Sequence, residues 1–119
     1  MILIVEDDFF IRQSLEDFLS EEGFDVKAAA NGAEALSLLG HGFIPHVILL
    51  DLMMPVMDGF EFRERQIASP ELSTIPVIVM SAYGDSAKNN EKLSVRAYLK
   101  KPLNVQEVLD SIFECTHSH

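Results

Sequence analysis

The sequence has a single cysteine, Cys115, so no disulfide can form within the chain, which suits a reducing cytoplasm. It has no apolar run approaching the ~20 residues of a membrane-spanning helix, and no association with a membrane is expected. Its start does not read as a signal peptide. "MILIVEDD" carries an apolar run followed by three acids, with no basic segment ahead of them. Basic charge is scarce: nine Lys and Arg stand against nineteen Asp and Glu, for a net charge of −10. Direct binding of DNA or RNA is therefore not expected, because phosphate neutralisation needs clustered Lys and Arg. Cations and other proteins are the expected partners. Low-complexity linkers and internal repeats are missing too, which leaves one even stretch of sequence.

What is present is an alternation of short apolar runs with longer helical patterns. With 119 residues, 48% of them hydrophobic, the chain can build one compact domain with a sizeable core. Ile2 to Val5 is a buried-strand run. Asp8 is placed to cap a helix in which Ile11, Leu15, Phe18 and Leu19 recur at helical spacing, and Gly23 stops it. Phe24 to Ala28 predicts a second strand. Asn31 with Glu34 resembles a capping box opening a helix with Ala35, Leu36 and Leu39 inward, ended by Gly40 and Gly42. Val47 to Leu50 is the third strand, and Phe60 to Ala68 forms a helix after the Asp58-Gly59 turn. Pro76 precedes a fourth strand, Val77 to Met80. A short polar helix is expected between Gly84 and Ser94, then a fifth strand at Ala97 to Leu99. Asn104 with Glu107 offers another capping box, and Val105, Val108, Leu109 and Ile112 form a stripe in the last helix.

Five strands alternating with five helices predict an α/β, doubly wound fold around a parallel sheet. Strands buried on both faces account for the unbroken apolar runs. Right-handed crossovers place the C-terminal ends of all strands along one edge, where open sheets bind ligands. The residues at those ends carry chemistry. Glu6 and Asp7 follow the first strand, Asp51 the third, Ser81 the fourth and Lys101 the fifth. Three carboxylates in one place repel one another unless a cation joins them. Oxygen ligands with room for water suit Mg2+, and no Cys or His stands nearby to recruit zinc. Lys101 adds a point charge for an incoming anion and Ser81 a hydroxyl donor. A carboxylate nucleophile, a metal, an ammonium and a hydroxyl make up a kit for accepting a phosphoryl group.

The motifs "ILIVEDD", "DLMMPVMDG", "VIVMSAY" and "YLKKP", in this order and at these strand ends, make the chain resemble a response-regulator receiver domain of two-component signal transduction. The similarity covers essentially all 119 residues, which are expected to form one receiver domain. The resemblance implies a five-stranded parallel sheet with five helices in the flavodoxin-like strand order 2-1-3-4-5. It implies that Asp51 is the phosphoacceptor and that Glu6, Asp7 and Asp51 hold Mg2+ together with the backbone carbonyl of Met53. Lys101 would pair with the phosphoryl group and its bond to Pro102 would be cis, Ser81 would move toward that group, and Tyr98 would turn inward as the switch aromatic. A histidine kinase or histidine phosphotransfer protein would supply the phosphoryl group, and an output protein or fused domain would read the result. A cytoplasmic chain is expected, and its oligomeric state stays open between a monomer and a homodimer formed on phosphorylation. Two departures fall on the surface receivers commonly use for output. The stretch from Ser81 to Lys101 is slightly short, and Arg96-Ala97 stands where a small Gly-Ala pair is usual.

Blander roles compete at several positions. Asp51 could simply cap a turn, but Glu6, Asp7 and Lys101 share its edge. Asp8 is read as a helix cap and Asp58 as part of the turn before the third helix. Lys100 and Lys101 point opposite ways on a strand, and Lys101, next to the proline, is the site candidate. Ser81 could merely end its strand, and Tyr98 could be half-buried packing. Met53, Met54, Met57 and Met80 suit core filling, although Met53 and Tyr83 could also screen the site from water and prolong a phosphorylated state. His41, His46, His117 and His119 form no constellation, which argues against a phosphohistidine relay within the chain. The alternative to a switch is a metal-dependent aspartyl-phosphate phosphatase or phosphotransferase acting on external substrates. Such enzymes carry a second acid two residues beyond the nucleophile, where this chain has Met53, and they need a cap for which little chain remains.

Overall fold

The structure is a computed structural model that describes residues 1–52, 57–81 and 96–117. In chain order the elements are β1 (Ile2–Val5), α1 (Phe9–Glu21), β2 (Val26–Ala29), α2 (Gly32–Gly40) and β3 (Val47–Asp51). There follow α3 (Gly59–Ala68), β4 (Val77–Ser81), β5 (Ala97–Lys100) and α4 (Val105–His117). The strands form one parallel sheet in the order β2-β1-β3-β4-β5. Four helices lie among the described residues. The short helix expected between Gly84 and Ser94 falls outside them, as do Met53, Met54 and Tyr83.

The two-residue period of a strand sorts the apolar runs into two cores. Leu3, Val5, Ile48, Leu50, Val77 and Val79 face one side, where Ala35 and Leu39 of α2 and Phe62 of α3 cover them. Ile2, Ile4, Val47, Leu49, Ile78 and Met80 face the other, against Leu15 and Leu19 of α1 and Val108 and Ile112 of α4. Each fully buried Leu, Ile or Val contributes roughly 1.5–3 kcal/mol, so the central three strands carry much of the stability.

Helix starts follow the local chemistry. The side chain of Asp8 accepts from the amide of Ile11 at 3.0 Å, and that of Asp58 from the amide of Glu61 at 2.9 Å. Asn31 accepts from the amide of Glu34 at 2.9 Å, and Glu34 reaches back to the amide of Ala30 at 3.2 Å. The return bond thus lands one residue earlier than in the usual capping box. Asn104 accepts from the amides of Gln106 and Glu107 at 2.9 and 3.1 Å.

Several boundaries and the packing of one helical residue differ from the sequence reading. The second strand occupies Val26–Ala29 rather than starting at Phe24, because Ile2 already spends its amide on the carbonyl of Asp25 and pairs in register with Val26. The third, fourth and fifth strands each run one residue further, so Asp51, Ser81 and Lys100 are strand residues themselves. Val105 is exposed, and it lines a surface groove with Phe10, Phe18 and Leu103 instead of joining the core.

Candidate functional site

Register brings the strand ends to one place. β1 pairs with β3 so that Val5 lies opposite Leu50, which sets Glu6 level with Asp51 at the end of the ladder. The chain leaves β1 toward β2 and then crosses to β3 on the other side, so β1 and β3 flank the switch point where open sheets bind ligands. On the far side Asp51 pairs with Met80 and Ser81 with Lys100, and the amide of Lys101 donates to the carbonyl of Ser81 at 2.7 Å. The Lys101–Pro102 peptide bond is cis.

Glu6, Asp7 and Asp51 each offer a carboxylate oxygen, all within 4.8 Å of one another. Glu6 and Asp51 are buried, whereas Asp7 faces solvent. Lys101 reaches into the cluster, its Nζ lying 2.7 Å from Oε1 of Glu6 and 3.6 Å from Oδ1 of Asp51. Oε2 of Glu6 accepts from the amide of Asp8 at 3.1 Å. Oε1 meets the Lys101 ammonium at contact distance, so each oxygen of this fully buried carboxylate has a partner. Burial pulls the Lys101 ammonium down, but contact with Glu6 and the charges of Glu6 and Asp51 outweigh it and hold the lysine above its usual range. Lys101 is therefore a fixed positive charge, while Lys100 is exposed, as the alternation of a strand requires.

The donor set fits Mg2+. All three side chains offer hard oxygen, and they converge within 4.8 Å of one another, as partial ligands of an ion that keeps several waters would. Ser81 is buried at the end of β4, and Tyr98 is half-buried in β5, packed against the core between the sheet and α2 and α3.

A family model described as the response regulator receiver domain matches residues 2–113 of the chain. The chain belongs to the response-regulator receiver domain family. Among curated relatives, this receiver is 35% identical to sporulation initiation phosphotransferase F of Bacillus subtilis, covering 93% of the chain and 89% of that protein. It is 37% identical to the response regulator MprA of a Mycobacterium species, covering 91% of the chain but 46% of the relative. The receiver thus spans nearly all of one relative and about half of others. Among solved structures, the receiver domain of a signal transduction histidine kinase from Syntrophus aciditrophicus superposes with a TM-score of 0.88 at 28% identity, over 97% of this chain and 88% of that one. The response regulator TrrA of Thermotoga maritima, solved in complex with Mg(2+)-BeF, gives 0.84 at 27% identity over 96% of each chain.

Glu6, Asp7, Asp51, Ser81 and Lys101, each singled out in the sequence, stand together in this receiver. Asp8 and Asp58 act as caps. Two contributors lacked any side-chain signature. Gly59 packs so tightly that a Cβ would lie 2.7 Å from the carbonyl oxygen of Asp51 and from Cα of Leu52. Arg12 donates to main-chain carbonyls of the acidic pair. The Asp-Gly turn hinted at Gly59, and nothing in the sequence pattern marked Arg12.

Proposed function

We propose that the chain is the phosphoacceptor of a two-component phosphorelay. Asp51 takes a phosphoryl group from a histidine kinase or histidine phosphotransfer protein, and the change controls a partner protein or output domain. The observation that carries this reading is the ion pair of Lys101 with Glu6 and Asp51, inside a cluster of three carboxylates at the ends of β1 and β3. Glu6, Asp7 and Asp51 would hold Mg2+ with the carbonyl of Met53, and the ion would neutralise phosphoryl oxygens during transfer.

A carboxylate oxygen of Asp51 attacks phosphorus, the new O–P bond forms in line, and the bond from phosphorus to the donor imidazole nitrogen breaks. Lys101 places its ammonium where it can pair with the arriving oxygens, and the buried Glu6 holds that ammonium until then. Ser81 stands at the neighbouring strand end, ready to donate its hydroxyl to the acyl phosphate. Tyr98, one strand further out, gives the equilibrium a side chain with two possible placements, so phosphorylation biases existing conformations. The receiver catalyses only its own phosphorylation and dephosphorylation. Residues 1–119 make one cytoplasmic receiver domain, acting as a monomer or a phosphorylation-dependent homodimer.

Incubation with acetyl phosphate and Mg2+ tests the proposal. One phosphoryl mass should be gained by the native chain and none by Asp51→Asn, with no turnover of unrelated phosphoesters. Turnover of those esters would favour the phosphatase reading, and an unmodified chain would defeat both.

A further inference from the structure

Arg12 lies in the first turn of α1, where the positive end of the helix dipole disfavours a cation. Its side chain turns back over the helix start. Nη1 donates to the main-chain carbonyl of Glu6 at 2.8 Å and to that of Asp7 at 3.3 Å. The guanidinium sits 5.6 Å from the centroid of the Phe9 ring, within range of a cation–π contact. The other polar groups of Glu6 are engaged elsewhere: its amide donates to the carbonyl of Ala29 at 3.0 Å, Oε2 accepts from Asp8, and Oε1 faces Lys101. Arg12 supplies the partner that the carbonyl of this buried residue needs.

We propose that Arg12 is a positioning residue for the acidic pair, clamping the carbonyls of Glu6 and Asp7 and so fixing the directions from which their carboxylates meet Mg2+. This rests on the reading of Glu6, Asp7 and Asp51 as the metal ligands. Holding both carbonyls fixes the two peptide planes that follow Glu6 and Asp7, and with them the Cα–Cβ directions of both acids. The positive charge also offsets repulsion among the carboxylates from the main-chain side, leaving the side where their oxygens converge open. Both bonds come from the one nitrogen Nη1 of a planar guanidinium braced on an aromatic ring, and a lysine ammonium does not reproduce that brace. Groups that orient metal ligands from behind typically change metal affinity by ~10–100-fold, and a clamp on main chain belongs at the low end.

Titration calorimetry of Mg2+ into the unphosphorylated full chain tests this, with thermal melts in metal-free buffer alongside. Arg12→Ala should weaken Mg2+ binding about tenfold. Arg12→Lys should recover part of that loss, and Phe9→Ala, which removes only the brace, should weaken binding by about threefold. The Mg2+ concentration giving half the maximal acetyl phosphate reaction should rise with the dissociation constant, while the rate at saturating Mg2+ changes much less. A folded Arg12→Ala chain with a lower melting temperature but native Mg2+ affinity would overturn the proposal. If Arg12→Ala does not fold, unchanged affinity in Phe9→Ala overturns it instead. A native chain that binds no Mg2+ defeats the reading of the site and the clamp together, whereas equal binding by native and Arg12→Ala chains removes only the clamp.

Discussion

Lys101 Nζ lies nearer to Glu6, at 2.7 Å, than to Asp51, at 3.6 Å. The Glu6 side chain is wholly buried and that of Lys101 is 16% exposed, so removing the lysine strands a buried carboxylate. Breaking a buried pair from one side typically costs 3–5 kcal/mol, and the partial exposure of Lys101 places Lys101→Met near the bottom, at about 3 kcal/mol. Urea unfolding in metal-free buffer measures the loss. Saturating Mg2+ should shrink it, because the bound cation replaces the missing charge beside Glu6. An equal loss with and without Mg2+ would contradict the proposed metal site.

Asp8 is part of the same acidic run but works as a cap. Asp8→Ala should lower stability by about 1 kcal/mol, whereas Asp8→Asn, which keeps the accepting oxygen, should stay near the native value. Comparing denaturation midpoints of the two variants decides it. Equal losses would point to the charge of Asp8 rather than to its capping oxygen.

Gly59→Ala meets main chain, which cannot step aside as a flexible side chain could. The added methyl would lie 2.7 Å from the Asp51 carbonyl, so the start of α3 and the end of β3 must part. We expect a loss of roughly 1–3 kcal/mol, the usual range for overpacking. Phosphorylation by acetyl phosphate should slow as well, since the displaced atom belongs to Asp51. A native melting temperature in Gly59→Ala would show that the approach is looser than described.

Cys115 is half-buried in α4. Burial pushes its thiol up, the Arg96 charge opposes this and the Glu114 charge adds to it, leaving the thiol above its usual range. The thiolate is the reactive form, so iodoacetamide should modify the folded chain near pH 8 more slowly than the urea-unfolded chain. The rate should climb as the pH passes above the ordinary thiol value of about 8.5. The same shift has no effect on stability below that value and lowers stability above it, because the folded chain then holds the thiol proton more tightly. Equal alkylation of folded and unfolded chains near pH 8 would refute this.

Much of the site was legible because its parts end apolar runs. Glu6, Asp51, Ser81 and Lys101 are each the first polar residue after a strand core or next to it, and parallel topology gathers such residues on one edge. Caps were legible because they act within three residues. Arg12 was not, since its partners are carbonyl groups that every residue possesses. Val105 fits the helical stripe as well as Val108 does, and periodicity cannot distinguish a core from the rim of a groove. The start of the second strand depended on register with β1, a long-range fact.

By itself, the sequence determined the order of the elements, the two-sided apolar alternation and the residue types at the strand ends, because each follows from local spacing. Tertiary structure decided which of those groups touch. Crossover geometry and strand register set Glu6 level with Asp51, and only then does the reach of Lys101 settle it nearer to Glu6. Distances of a few ångströms between residues 45 or more positions apart are fixed by packing, and no local pattern encodes them.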